Sequence, residues 1–299
     1  LTHILDSQEP WCVHLSLRAP HPPWVAPSPY HALYSPDDLP EPVGRATVSE
    51  EQRLHPWLRE HLSSERNKRH ADDNRHRKLQ ASYYGLMSVV DDNMGRLIAT
   101  LREQGRWNNT IFIFTSDHGE QMGDHWLYGK AGFFDQSFHI PLIIAGPGVS
   151  PAICDEFTEH VDIFPTLMEL LGAEVPRQCD GRSLLGALTG EGLRSWRSAA
   201  CYEYDFRHSP VEDVLGLDME EACVNVIRDD HYKYVHFADL PALLFDIKND
   251  PEELIDISED HPQIVARYAR ALLSWRMRST DKTLSHLQIT REHGLKILS

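Results

Sequence analysis

Apolar positions along this chain fall into contrasting patterns, and each predicts a different element. The run "WCVHLSL" at 11–17 reads as a buried strand. "IFIFT" at 111–115 and "IPLIIAGPG" at 140–148 are unalternated β-branched and aromatic runs of the same kind. Between them the chain lacks proline from 66 to 104, and Leu79, Tyr83, Leu86, Met87, Val90, Met94, Leu97, Ile98 and Leu101 recur at helical spacing. This predicts one long amphipathic helix with Gly105 placed to end it; its first part, "ERNKRHADDNRHRK", is polar all round and reads as solvent-exposed. "HVDIFPTLMELLG" at 160–172 predicts a short helix, with Asp162 as N-terminal cap and Gly172 as terminator.

Beyond about residue 190 the pattern shortens. "RSAACYEYDF", "ACVNVIRDDHYKYVHF" and "ALLFDI" read as successive strands, two of them joined by a tight turn at Asp229 and Asp230, and "PQIVARYARALLSWRMR" follows as a helix. The predicted architecture is α/β: residues 1–190 form a domain with a largely parallel central sheet, and 191–280 form a small antiparallel sheet packed by a helix. Residues 281–299 have weak periodicity and read either as an arm packing on a neighbouring subunit or as a frayed tail.

Composition narrows the functional classes. A formal net charge of −16 over 299 residues would make the average face repel nucleic acid and anionic membrane, although an anionic small substrate remains compatible with a locally positive site. The five cysteines, Cys12, Cys154, Cys179, Cys201 and Cys223, show no C-x-x-C or zinc-ligand spacing, which suggests reduced thiols in a cytoplasmic protein; Cys12 and Cys223 read as small buried hydrophobes. No apolar window is long enough for a membrane span and no leader pattern is present. A strand within the first residues of a chain lacking an initial Met suggests a sequence that begins partway through a domain.

The candidate chemistry lies in "FTSDHGEQMGDHWLYGK", residues 114–130. Asp117 and His118 leave the end of a predicted strand without a spacer, and Gly119 would permit the backbone to turn so that both face one ion. A carboxylate and an imidazole suit a divalent cation, but two donors are too few, and either residue could equally serve a surface ion pair or a cap. Lys130 alone reads as a solvated charge or an anion ligand. Asp124 and His125 read as residues that orient the metal-binding side chains from behind or as the start of a helix. The segment "RAPHPPWVAPSPY" at 18–30 holds five prolines that force a stiff extended loop, with His21 enclosed among them. Trp24, Trp126, Tyr128 and Phe133 could line a wall for an aryl group or lie in the core.

The order strand-S-D-H-G-E-x-x-G-D-H-x-x-x-x-K, followed by "IPLIIAGPG" and "HVDIFPTLMELLG", closely resembles the C-terminal half of the sulfatase family, within the alkaline phosphatase superfamily. "HLSLRAPHPPWVAPSPYHALY" is similar to the phosphonate monoester hydrolase and arylsulfatase branch. The resemblance implies an alkaline-phosphatase-like sandwich and hydrolysis of sulfate esters or phosphonate monoesters, small anionic substrates, with one divalent metal ion, Ca²⁺, Mg²⁺ or Mn²⁺. It implies Asp117 and His118 as metal ligands, Lys130 as a ligand of a non-bridging substrate oxygen, and His21 as substrate ligand and donor of a proton to the leaving group.

The family nucleophile is a formylglycine made within a C-x-P/A-x-R motif, and none of the five cysteines stands in that context. The expectation is therefore the C-terminal portion of such an enzyme, inactive by itself. Rival readings are a phosphodiesterase or phosphatase of the same superfamily, with His139 and His160 as further metal ligands, and a non-catalytic binding module. A homo-oligomer formed through the C-terminal arm is a further expectation.

Overall fold

The computed structural model describes residues 9–207, 210–280, 287–290 and 294–297. The chain divides into two compact units. The first comprises 1–52, 61–130 and 135–149, and the second 53–60, 131–134 and 150–299.

In the first unit the long helix is present as Asp73–Glu103, with the Asp72 carboxylate accepting from the Arg75 amide at its start. Gly105, at φ 65°, follows its end as the sequence predicts. Its polar front is less exposed than the sequence suggests. His76 is fully buried, its Nδ1 lies 3.0 Å from the Tyr128 hydroxyl, and Arg77 donates to the Leu39 carbonyl. Two short strands, β1 (Phe112–Thr115) and β2 (Leu142–Ala145), form the sheet of this unit.

They pair antiparallel, Phe112 opposite Ala145 and Thr115 opposite Leu142, and no parallel pair occurs among the described residues. Unalternated apolar runs report burial on both faces, whereas strand direction follows from the connection, here a segment that turns the chain back on itself. Burial is also incomplete, since Ile143 is 57% exposed. The 11–17 run forms no strand among the described residues; Cys12, Val13, Leu15 and Leu17 are exposed, so the expected buried strand and buried Cys12 are corrected. With no described neighbour to complete its hydrogen bonds, that run has no ladder to join.

The second unit carries a four-stranded antiparallel sheet in sequential order: β3 (Ala200–Asp205), β4 (Cys223–Arg228), β5 (Tyr232–Phe237) and β6 (Leu243–Asp246). Strand alternation sends two residue sets to opposite faces. Ile227, Tyr234 and Leu244 pack with Tyr268 and Leu272 of the helix Pro262–Thr280, as the sequence predicts. On the other face Val224, Val235, Phe237 and Phe245 meet an aromatic cluster that includes Trp57 and Phe133 from far upstream, with ring centroids 6.0 Å apart for Trp57 and Phe133 and again for Phe133 and Phe237. Gly132 allows the approach, because a Cβ there would stand 3.0 Å from the Trp57 ring.

The predicted helix after residue 160 is Ile163–Leu170, but Asp162 does not cap it with its side chain. Its buried carboxylate instead accepts from the Glu159 and Arg182 amides and from the Arg197 guanidinium, a higher-value set of partners than one helix amide. β7 (Leu287–Thr290) and β8 (Gly294–Ile297) pair as a hairpin within the arm; the rest of 281–299 lies outside the described residues. No helix among the described residues is long and apolar enough to cross a membrane.

Buried histidines make stability acid-sensitive. Burial lowers the pKa of both His55 and His61 from 6.5 to about 4, so both are neutral in the folded chain. A depressed histidine contributes stability that is fully present above its unfolded pKa and is lost as pH falls from about 6.5 toward about 4. Each shift corresponds to roughly 3 kcal/mol. Urea midpoints measured across that window are expected to fall with pH, and the fall should shrink in His55→Gln and His61→Gln.

Candidate active site

The site is built on the loop that leaves β1. The Ser116 hydroxyl donates to the His118 carbonyl at 2.6 Å, bending the chain directly after the strand. Gly119 serves a different purpose from the turn expected of it: its φ is not positive, but a Cβ there would fall 2.0 Å from the Gln136 carbonyl oxygen. Its amide donates to the Ser137 carbonyl at 2.8 Å, so the missing side chain allows backbone to lie on backbone.

The loop then closes on itself. The Gln121 amide donates to the Gly129 carbonyl at 2.7 Å and the Gly123 amide to Leu127 at 2.9 Å. At the tip, His125 and Trp126 adopt positive φ values of 50° and 61°, a conformation that L-residues hold only when their surroundings over-determine it. The surroundings do so here. The buried His125 ring sits 3.0 Å from Glu51 Oε1, the Asp124 carboxylate accepts from the Val43 amide, and the Trp126 indole donates to the Arg45 carbonyl beneath the Arg69 guanidinium. Asp124 and His125 thus brace the loop tip, and Asp124 opens the short 3₁₀ turn Asp124–Trp126, the helix start that the sequence offered as one of two roles.

Lys130 returns beside the start of the loop. Its Nζ lies 2.7 Å from His118 Nε2, and Asp117 Oδ2 lies 3.4 Å from the same nitrogen. His118 Nδ1 is 2.7 Å from the Gly119 carbonyl, which can only accept, so Nδ1 carries the proton and Nε2 presents a lone pair that the ammonium takes. The Asp117 side chain is 85% exposed.

His21 is exposed, with Nδ1 bonded to the Pro22 carbonyl at 2.8 Å. Glu120, within the same loop motif, is mostly withdrawn from solvent. Burial raises the Glu120 carboxyl above its usual range, while the Gly129 amide, Lys130 and His21 pull it back down. Tyr83, read as a core position of the long helix, faces the same carboxylate; burial and then Glu120 push its phenol up to about 12.

A divalent metal is implied for such a loop. A hard carboxylate and a neutral imidazole with its Nε2 lone pair directed at a cation, here the Lys130 ammonium, fit two positions of a donor set. Among the described residues no third His, Cys, Asp or Glu joins them, and His139 and His160 do not complete a group. Of the aromatic candidates, Phe133 lies in the core of the second unit; Trp24 and Tyr128 contact each other at 5.4 Å between ring centroids, and Trp126 lies under Arg69.

Comparison with known proteins decides the family. The sulfatase family profile matches residues 1–173, more than half of the chain. The chain belongs to the sulfatase family. A second profile, N-sulphoglucosamine sulphohydrolase, C-terminal, matches residues 123–277. Relatives include the multifunctional alkaline phosphatase superfamily protein PehA of Trinickia caryophylli, 40% identical over 93% of this chain and 58% of that protein. Choline-sulfatase of Rhizobium meliloti is 30% identical over 96% of this chain and 55% of the relative. The phosphonate monoester hydrolase of Agrobacterium radiobacter superposes with a TM-score of 0.91 at 37% identity, covering 100% of this chain and 62% of that structure. The chain thus spans about three fifths of the length of these relatives.

Proposed function

We propose that the protein containing these residues hydrolyses sulfate esters or phosphonate monoesters with the help of a divalent metal. The observation that carries this reading is the contact of Lys130 with His118, flanked by Asp117: an ammonium and two metal-type donors converge at one loop end in an otherwise acidic molecule. Asp117 and His118 would hold the ion together with donors from outside the described residues. When bound, that ion supplies Lewis acidity toward an ester oxygen. Lys130 binds a non-bridging oxygen and offsets charge that develops there as the ester bond lengthens. His21, exposed, donates a proton to the departing alkoxide or phenoxide.

The nucleophile would be a formylglycine contributed from outside these 299 residues, since no cysteine here stands in the required motif. The isolated chain is accordingly expected to bind metal weakly and to leave esters intact. Similarity to phosphonate monoester hydrolases at 37% and 35% identity favours that substrate class over sulfate esters. Five free cysteines fit a reducing, cytoplasmic setting.

A leaving-group series tests the reading. In the complete gene product, kcat/KM is measured for aryl sulfates and aryl phosphonate monoesters of rising phenol pKa, in wild type and His21→Ala. The loss on removing His21 should grow with phenol pKa, reaching about 10²-fold for the poorest leaving group. Absence of turnover in both series would sink the hydrolase reading; a loss independent of phenol pKa would remove His21 from the proton transfer.

A further inference from the structure

We propose that Tyr128 is a positioning residue whose ring holds Trp24 and thereby sets the place of His21 relative to Lys130; the inference rests on the hydrolase reading above. His21 and Lys130 come from segments more than a hundred positions apart. A proton donor and an anion ligand act on one substrate only if their separation is held.

The segment that carries His21 is poorly tied by its own hydrogen bonds. Those of residues 18–25 are local: the His21 amide donates to the Arg18 carbonyl at 2.9 Å, His21 Nδ1 lies 2.8 Å from the Pro22 carbonyl, and the Val25 amide donates to the Pro23 carbonyl at 2.8 Å. The first long-range bond comes at Ala26, whose amide donates to the Ser82 hydroxyl of the long helix at 2.9 Å, and Tyr30 then donates to Asp92 at 2.6 Å. Nearer to His21, the Trp24 ring meets Tyr128 with centroids 5.4 Å apart and planes inclined at 56°. The Trp24 indole N–H is shielded from solvent and has no acceptor among the described residues, so ring contact and not a hydrogen bond holds this side chain.

Tyr128 is a fixed platform for that contact. It is buried, its amide donates to the Asn67 carbonyl at 2.8 Å, and its hydroxyl lies 3.0 Å from Nδ1 of the fully buried His76 and accepts from the His70 amide at 3.4 Å. His76 belongs to the long helix that also carries Ser82 and Asp92. One rigid element thus fixes both ends of the His21 segment, the far end directly and the near end through Tyr128. Lys130 stands two residues after Tyr128, and its loop keeps separate backbone bonds from Gln121 to Gly129 and from Gly123 to Leu127. Removing the Tyr128 ring therefore frees His21 while the Lys130 loop stays closed.

The test uses the complete gene product and the aryl ester series of rising phenol pKa. It compares Tyr128→Leu with Trp24→Leu, a variant that leaves the buried contacts of Tyr128 with the helix in place. Both should lose about tenfold in kcat/KM for the poorest leaving group, as expected for a displaced reacting group, and less than about twofold for the best. Neither should cost more than about twofold when His21 is already alanine, since a residue that acts through His21 has nothing left to position. Tyr128→Phe, which keeps the ring, should fall between wild type and Tyr128→Leu. Losses equal across the series, or losses that persist in His21→Ala, would show a merely structural role and overturn the proposal. A second readout needs no turnover: in protein labelled with 5-fluorotryptophan, the Trp24 resonance, assigned from its absence in Trp24→Leu, should move in Tyr128→Leu. A resonance that stays in place overturns the contact and the proposal with it. Absence of turnover in wild type would sink the hydrolase reading, while the fluorine spectrum still decides whether Tyr128 holds Trp24.

Discussion

Lys233→Met is expected to lower stability by about 3–5 kcal/mol, read from urea unfolding at pH 7. Lys233, second residue of β5, projects into the aromatic face of the sheet, where it is 0% exposed and pairs with Glu253, itself 1% exposed; the Tyr202 ring lies 5.8 Å from its ammonium. Removing one partner leaves a buried carboxylate without its counter-charge, and that desolvation cost dominates the loss of the pair itself. Glu253→Gln should be destabilising in the same direction. The double variant Lys233→Met, Glu253→Gln should recover a large part of the loss, because neither charge then remains buried. Losses that simply add in the double variant would show that the two side chains act independently.

Lys130→Ala carries the largest expected effect on activity. In the complete gene product it should reduce kcat/KM for an aryl sulfate or a phosphonate monoester by about 10²–10³-fold, the range for removing one preorganised stabiliser of developing charge. Most of the loss should appear in kcat, since Lys130 acts where negative charge accumulates, with a smaller rise in KM from weaker anion binding. Folding should be preserved, because the Lys130 side chain is exposed and the loop is held by the Gln121–Gly129 and Gly123–Leu127 backbone bonds and by His125. Activity within threefold of wild type would remove Lys130 from the chemistry.

The parts of the structure legible in the sequence are those governed by local pattern. The strands after residue 190 are short β-branched and aromatic runs bounded by turn residues, and the helix Pro262–Thr280 buries Tyr268 and Leu272 against them, so composition and turn chemistry sufficed. The long helix ended where Gly105 said it would. What pattern could not convey was pairing over long range. The opposite direction of β1 and β2, the openness of 11–17, and the filling of the sheet's second face by Trp57 and Phe133 all depend on what the rest of the chain brings alongside.

The candidate site divides the same way. The D-H-G-E spacing put Asp117, His118 and Lys130 on the page, and the structure brings those three within 3.4 Å of one another's polar atoms in succession. The need for glycine at 119 comes from close packing and not from a turn: a residue's own φ can be guessed from its type, while the carbonyl of Gln136 pressing against it cannot. Glu120 and Tyr83 do not stand out in the sequence, because a glutamate in a loop and a tyrosine on a helical stripe each have a commoner explanation, and only the folded chain brings the Tyr83 phenol under the influence of the Glu120 carboxylate. Asp162 was read as a cap from its position, yet Arg197 lies far along the chain and claims its carboxylate.

The most direct measurement is turnover of an aryl sulfate, an aryl phosphonate monoester and a phosphate diester, side by side, by the complete gene product before and after chelation. The expected result is hydrolysis of the sulfate or the phosphonate ester, abolished by the chelator and restored by Mn²⁺, Ca²⁺ or Mg²⁺ in wild type but not in an Asp117→Ala variant. Failure to hydrolyse either ester, or hydrolysis indifferent to the chelator and to Asp117, would contradict a metal-assisted ester hydrolase built on this loop.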